Sequence, residues 1–149
     1  MSLNTLLGRR FTRSFQVSKD KVQEYLTVLN ESNPYYQSIR QSTAFDLVVP
    51  PGFVVVYLYQ VVTKLFAHPA FTPARCILHG EQKVEFVNPV KVGDTIDTTM
   101  TIESVTTTDS RRRRSQEMME LHFVSWNQRK EVVSRATTIL FLWENTGDE

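Results

Sequence analysis

The chain has 149 residues, enough for one compact domain with a real apolar core. Hydrophobic residues make up 41% and charged residues 22%, a globular rather than a disordered balance. A formal net charge of +1 gives no global electrostatic basis for holding nucleic acid or an anionic membrane, and no apolar run reaches the roughly 18 residues of a membrane span.

The opening MSLNTLLGRR has no long apolar stretch after a basic one, so it does not read as a signal peptide. The lone Cys76 forbids a disulfide within the chain and fits a reducing, cytoplasmic setting. The expected organisation is one domain over 1–149, with 1–8 and the polar tail 144–149 as flexible ends.

From Arg9 to Val17, Phe11, Arg13, Phe15 and Val17 stand two apart, the period of a short strand. Ser18 then precedes a stretch in which Val22, Tyr25, Leu26 and Leu29 recur at helical spacing, and a serine there caps free amides. Asn30 closes this first helix, since asparagine tolerates the left-handed backbone of a helix end. The loop Glu31-Ser32-Asn33-Pro34-Tyr35-Tyr36 follows, and residues 37–45 have room for a further short helical turn.

Residues 51–67 contain three consecutive valines, yet about 17 residues exceed an ordinary strand. Pro51 suits a first helical turn, where its missing N–H has no partner to lose. Val54, Leu58, Val61, Val62 and Leu65 form one stripe, and Val55, Tyr59 and Phe66 make the rest nearly apolar, so a helix buried on several sides is expected. The remainder reads as strands over 76–87, 95–107, 116–126 and 131–143, with turns at Asn88–Asp94 and Asn127–Lys130. Long strands and short turns make an antiparallel meander, and the fold class is α+β: one long buried helix wrapped by an antiparallel sheet. A sheet edge is left open, and a two-fold dimer pairing edges would close it.

Four motifs occur in order: Glu31-Ser32-Asn33-Pro34-Tyr35-Tyr36; Val49-Pro50-Pro51-Gly52-Phe53 opening the long helix; Leu78-His79-Gly80-Glu81-Gln82; and Asn88-Pro89-Val90-Lys91-Val92-Gly93-Asp94. With the architecture, they resemble the MaoC-like hydratases and dehydratases of the hot-dog fold, and the second and third favour the N-terminal MaoC-like domain subgroup. The likeness covers roughly residues 10–143. It implies binding of an acyl thioester, on CoA or on an acyl-carrier protein. It also implies a homodimer or a heterodimer with a catalytic MaoC-like subunit.

Active members of that family carry an Asp, then Asn-Pro, then a His two places past the proline, and add or remove water beside a thioester carbonyl. By resemblance the Asp position is Glu31 and the His position is Tyr36; Asn33 and Pro34 match. A phenol has a pKa near about 10 and an imidazole near about 6.5, so Tyr36 donates a hydrogen bond at neutral pH but rarely exchanges a proton. In active relatives a glycine amide at the helix start faces the thioester oxygen. Here that place reads Pro50-Pro51, with no N–H to give, and Gly52 offers an amide one step later.

The catalytic candidates are therefore Glu31 and Tyr36, in degenerate positions, and the substrate-binding candidates are Asn33, Pro51, Gly52 and His79. The resemblance points to a non-catalytic or degenerate acyl-thioester-binding subunit. The alternatives are an active hydratase or dehydratase working through Glu31, and a hot-dog thioesterase, which explains Glu31 but not the second and third motifs. No cofactor is expected, because hydration of a conjugated thioester needs only acid–base groups. His68 beside Pro69 reads as a helix-end cap, His122 as solvent-facing, and the three histidines are too far apart in sequence to suggest a metal. Arg111, Arg112, Arg113 and Arg114 read as a solvated hairpin end or as a clamp for the 3'-phosphate of CoA or an acidic carrier.

Overall fold

The computed structural model describes residues 2–41, 47–71, 75–109 and 115–144. Five strands, β1 (Arg10–Gln16), β2 (Arg75–Phe86), β3 (Thr95–Asp109), β4 (Ser115–Trp126) and β5 (Val132–Glu144), form one sheet. Its order is β1-β3-β4-β5-β2, and every pairing is antiparallel. The meander expected through all four C-terminal strands holds only for β3-β4-β5; β2 does not pair with β3 but crosses to the far side of β5, and β1 takes the place beside β3.

Three helices precede or interrupt the strands: α1 (Lys19–Val28), α2 (Pro34–Gln41) and α3 (Val54–Phe66). α1 starts where Ser18 accepts a hydrogen bond from the Lys21 amide at 3.3 Å. It stops at Asn30, which adopts a φ of 52°. α2 begins at Pro34, earlier than the expected start at residue 37, because Asn33 supplies the cap. Its side-chain Oδ1 accepts the Tyr35 N–H at 3.0 Å, and proline fills the first turn, where no N–H is needed.

α3 is preceded by a 3-10 turn, Pro51–Phe53, so the long helical stretch begins at Pro51 as its proline predicts. Val54, Tyr57, Leu58, Val61 and Leu65 are buried against the sheet. Their counterparts are the alternating inward residues of the strands, among them Ile96, Met100 and Ile102 of β3 and Met119, Leu121 and Phe123 of β4. The helix is less enclosed than its composition suggests. Val55 is 50% and Tyr59 59% exposed, and they look onto the same groove as Ile77 of β2, itself 40% exposed. One apolar face of α3 is thus left uncovered within a single chain.

The flexible N-terminus expected over residues 1–8 is not found from Ser2 onward. Leu3 and Leu6 sit in a 3-10 turn capped by Ser2, and both are completely buried. Gly8 then donates its N–H to the Ile102 carbonyl at 2.9 Å, stitching this segment to β3. The reason is local: two leucines three apart fall on one side of a 3-10 turn and find the open end of the core. At the other end Glu144 belongs to β5, and 145–149 lie outside the described residues.

The turn after β2 fixes the entry to α3. Val49 donates to the Val90 carbonyl and Val92 to the Leu47 carbonyl, both at 2.9 Å, so residues 47–49 run antiparallel to 90–92. That turn is itself held: Asp94, 4% exposed, accepts the Lys91 amide at 2.9 Å through Oδ2 and the Gln128 side chain at 2.8 Å through Oδ1. Gly93, at φ 97°, takes a backbone conformation that side chains disfavour and donates to the Val17 carbonyl at 2.8 Å.

Candidate functional site

The loop Glu31–Pro34 is built by its own side chains. The Glu31 amide donates back to the Leu26 carbonyl at 3.0 Å, finishing α1. Glu31 Oε1 accepts the Asn33 N–H at 2.8 Å, and the Glu31 carbonyl accepts the Gln37 side chain at 2.9 Å. The carboxylate therefore spends part of its acceptor capacity closing its own turn. Tyr36 packs its ring against the core, edge to face with Tyr35 at 5.1 Å. Burial pushes the Tyr36 phenol above its ordinary value; the negative charge of Glu31 and the neighbouring Tyr35 push it the same way. The structure thus brings Glu31 and Asn33 of the loop close to Tyr36 in the first turn of α2, and the environment moves the Tyr36 phenol further from a proton-exchanging range.

Two residues to which the sequence assigns no site role, Tyr25 and Tyr35, tie this loop to the start of α3. Tyr35 Oη accepts the Val48 N–H at 3.1 Å, joining α2 to the segment that leads into Pro50 and Pro51. Tyr25 of α1 packs edge to face on Phe53, with ring centroids 5.4 Å apart. Its hydroxyl lies so close to Gly52 that any side chain there would overlap it. Glycine at 52 is thus explained by the close approach of Tyr25. Among the described residues, no acceptor is found for the Gly52 amide, the one N–H ahead of Phe53 in this turn. Phe53 already donates to the Pro50 carbonyl at 2.9 Å.

Beside this helix start lies a cavity of about 300 Å³, walled by Val48–Pro51, Val54 and Tyr57 on one side and Phe86–Val90 on the other. Its lining is apolar apart from Asn88 and the Tyr57 hydroxyl, and neither Glu31 nor Tyr36 is among the residues that line it. The Tyr57 hydroxyl is paired with Ser134 Oγ at 3.0 Å, and burial raises its pKa to about 12. Pro51 lines this cavity; Gly52 does not.

A second and larger cavity, about 690 Å³, runs along the uncovered face of α3. It is walled by Val55, Leu58, Tyr59 and Val62 of the helix and floored by β2, β4 and β5. His79 lines this groove rather than the first cavity, so it is separated from Pro51. His68 does act at a helix end: its Nδ1 accepts the Ala70 N–H at 3.1 Å, and its Nε2 lies 2.7 Å from Arg9. His122 is 43% exposed on the outer face and lies 2.6 Å from Glu120. Arg111–Arg114 lie outside the described residues. Among the described residues there is no cluster of three His, Cys, Asp or Glu fit to hold a metal, and no helix long and apolar enough to cross a membrane.

The sheet and helix match solved structures of hot-dog enzymes. A C-terminally truncated HadBC (3R-hydroxyacyl-ACP dehydratase) complex from Mycobacterium tuberculosis aligns with a TM-score of 0.66 at 23% identity, covering 91% of this chain and 96% of that one. A MaoC-like dehydratase from Rhodospirillum rubrum aligns at 0.66 and 19% identity over 97% of both chains. In sequence, a UPF0336 protein of Leifsonia xyli is 30% identical over 106 residues, 67% of this chain and 71% of its own. One from Streptomyces coelicolor is 27% identical over 107 residues, 68% and 71%. The model of the FAS1-like dehydratase domain region matches residues 5–136. With an α+β hot-dog fold and that match across most of its length, the chain belongs to the MaoC-like, FAS1-like dehydratase-region family.

Proposed function

We propose that the protein is an acyl-thioester-binding member of the (3R)-hydroxyacyl dehydratase and enoyl hydratase type that does not itself catalyse the reaction. On this reading it supplies an apolar groove for the acyl chain of a CoA or carrier-protein thioester and works beside an active MaoC-like subunit. One observation carries it. The Tyr36 phenol is raised by burial and by the Glu31 charge, and Tyr36 falls where, by resemblance, active relatives carry the proton-exchanging histidine. Dehydration needs a group that both takes and gives a proton near neutral pH, and this one does neither.

Two further features support the reading. Pro50 and Pro51 remove amides from the helix start, leaving only that of Gly52 to polarise a thioester oxygen. The uncovered face of α3 and the adjoining exposed side chains of β2 offer an apolar surface to a second hot-dog chain.

The reading is tested by assaying the purified chain on a trans-2-enoyl and a (3R)-hydroxyacyl thioester. No turnover is expected above the uncatalysed rate, while the same thioesters bind. Hydration by the chain alone, abolished by Glu31→Gln, would establish the competing reading, an active hydro-lyase. That alternative has one point in its favour: Glu31 and Tyr36 are near enough for the carboxylate to perturb the phenol. The same assay with thiol detection covers a thioesterase, for which release of free thiol without hydration is the signature.

A further inference from the structure

The groove along α3 contains a feature that an apolar acyl channel does not need. β2 is interrupted by a β-bulge: His79 pairs with Leu140 and Glu81 with Ile139, so Gly80 is left without a partner. In a regular strand His79 and Gln82, three apart, face opposite sides of the sheet. The extra residue turns both into the groove, where they line it together with Thr138 of β5. On the opposite face the Phe141 ring packs directly on Gly80, leaving no room for a side chain there. The chain thus gives up a ladder position and requires a glycine, and the result is two polar side chains in an apolar wall.

Their hydrogen bonds are incomplete. Thr138 donates its hydroxyl to Gln82 Oε1 at 2.7 Å, and Thr138 is 6% exposed. The Gln82 amide nitrogen reaches only the Thr137 and Lys83 carbonyls, each at 3.4 Å, beyond the usual range for N–H donors. The His79 side chain makes no hydrogen bond or ion pair among the described residues. What remains available is donor capacity on Gln82 and His79 and acceptor capacity on Thr138 Oγ and the imidazole. His79 is exposed and Gln82 half-buried, so solvent can reach these groups while the groove is open; an occupant that displaces the solvent must meet them with a polar group of its own or leave them idle at about 1–3 kcal/mol each.

We infer that His79, Gln82 and Thr138 form a polar station that receives a hydroxyl group carried partway along an otherwise aliphatic acyl chain, remote from the thioester. A hydroxyl uses both kinds of vacancy at once, donating to Thr138 or His79 and accepting from Gln82. Apart from Gln60 and the Tyr59 hydroxyl the rest of the lining is apolar, which suits methylenes on either side of that oxygen better than the repeated amides of a pantetheine arm. The inference rests on the acyl-thioester reading above and names the kind of chain the groove selects.

The test is direct binding of stearoyl-CoA and of a set of hydroxystearoyl-CoA isomers, with the hydroxyl moved stepwise along the chain, to the full-length protein. One isomer is expected to bind about tenfold more tightly than stearoyl-CoA, the scale of one net hydrogen bond. Gln82→Leu and Thr138→Val are each expected to abolish that preference, read on each variant as the ratio of its own affinities for the best isomer and for stearoyl-CoA. Equal affinity for every isomer, or a preference that survives both substitutions, overturns the polar station while leaving acyl binding intact. Failure of all the thioesters to bind overturns the acyl-thioester reading itself, and the inference with it.

Discussion

At the scale of single residues, the positions that the family resemblance marks for chemistry hold groups with electrostatic and steric limits of their own. Tyr36 is pushed away from neutral pKa by its surroundings, and a proline removes an amide at position 51. These were legible from residue types, because a phenol and an imino acid carry their limits into any fold. Tyr25 and Tyr35 were not legible. Their roles depend on contacts with Gly52 and Val48, far along the chain, and nothing in their local spacing marks them. Tyr57 offers a residue-level test of the core beside the first cavity. Burial raises its pKa to about 12, and the bond from Ser134 only partly offsets this. The folded pKa exceeds the unfolded one, so this stabilisation is complete below about pH 10 and is lost as pH climbs towards about 12. The loss amounts to ~3 kcal/mol. In urea unfolding at stepped pH, Tyr57→Phe is expected to be less stable than the parent at neutral pH by ~1 kcal/mol, because Ser134 loses its partner. That deficit should shrink and reverse as the pH passes through the alkaline window. Parallel curves for the two proteins at all pH values would show that the phenol is not buried as described.

At the scale of elements, length and capping read well, and pairing details did not. The apolar run from Pro51 is a helix because it is too long for a strand, and Ser18 and Asn30 end α1 where cap chemistry says they should. The position of β2 beyond β5 was not visible, since strand order is set by long-range packing that a single sequence does not encode in its periodicity. The bulge at Gly80 was equally hidden. A lone glycine in a strand signals a bulge or a close approach, and here it is both, but only the register with β5 shows which side chains are re-aimed. Gly80→Ala is therefore expected to destabilise the protein by about 1–3 kcal/mol, because its methyl group and the Phe141 ring claim the same space. In a Phe141→Ala background the same change should cost less than about 0.5 kcal/mol. Additive costs in that double-mutant cycle, measured by chemical denaturation, would mean the ring does not press on the glycine.

At the scale of the whole molecule, the two open edges of the sheet are unequal. β1 has seven residues and carries Arg10 and Arg13 exposed, features that discourage pairing with another strand. β2 has twelve, and Ile77, Leu78 and Phe86 are exposed along it, with Val55 and Tyr59 of α3 alongside. The four- or five-stranded sheet expected from pattern alone already implied an open edge; the structure says which edge and adds the apolar face that goes with it. A second hot-dog chain docked along β2 would extend the sheet and roof the α3 groove in one step, since Ile77 of β2 lines that groove. The chain is accordingly expected to sediment as a dimer, alone or with a catalytic MaoC-like partner. Val55→Asp combined with Ile77→Asp should return it to a monomer, because two like charges placed in an apolar contact cannot pair with each other and cost several kcal/mol to bury. Both side chains are at least 40% exposed in the single chain, so the melting temperature of the monomer should be little changed. Sedimentation of the parent as a monomer both alone and mixed with such a partner would leave the open edge of β2 without its proposed purpose. Dimers that persist in the doubly charged variant would move the contact elsewhere, and β1 is the edge that would then have to carry it.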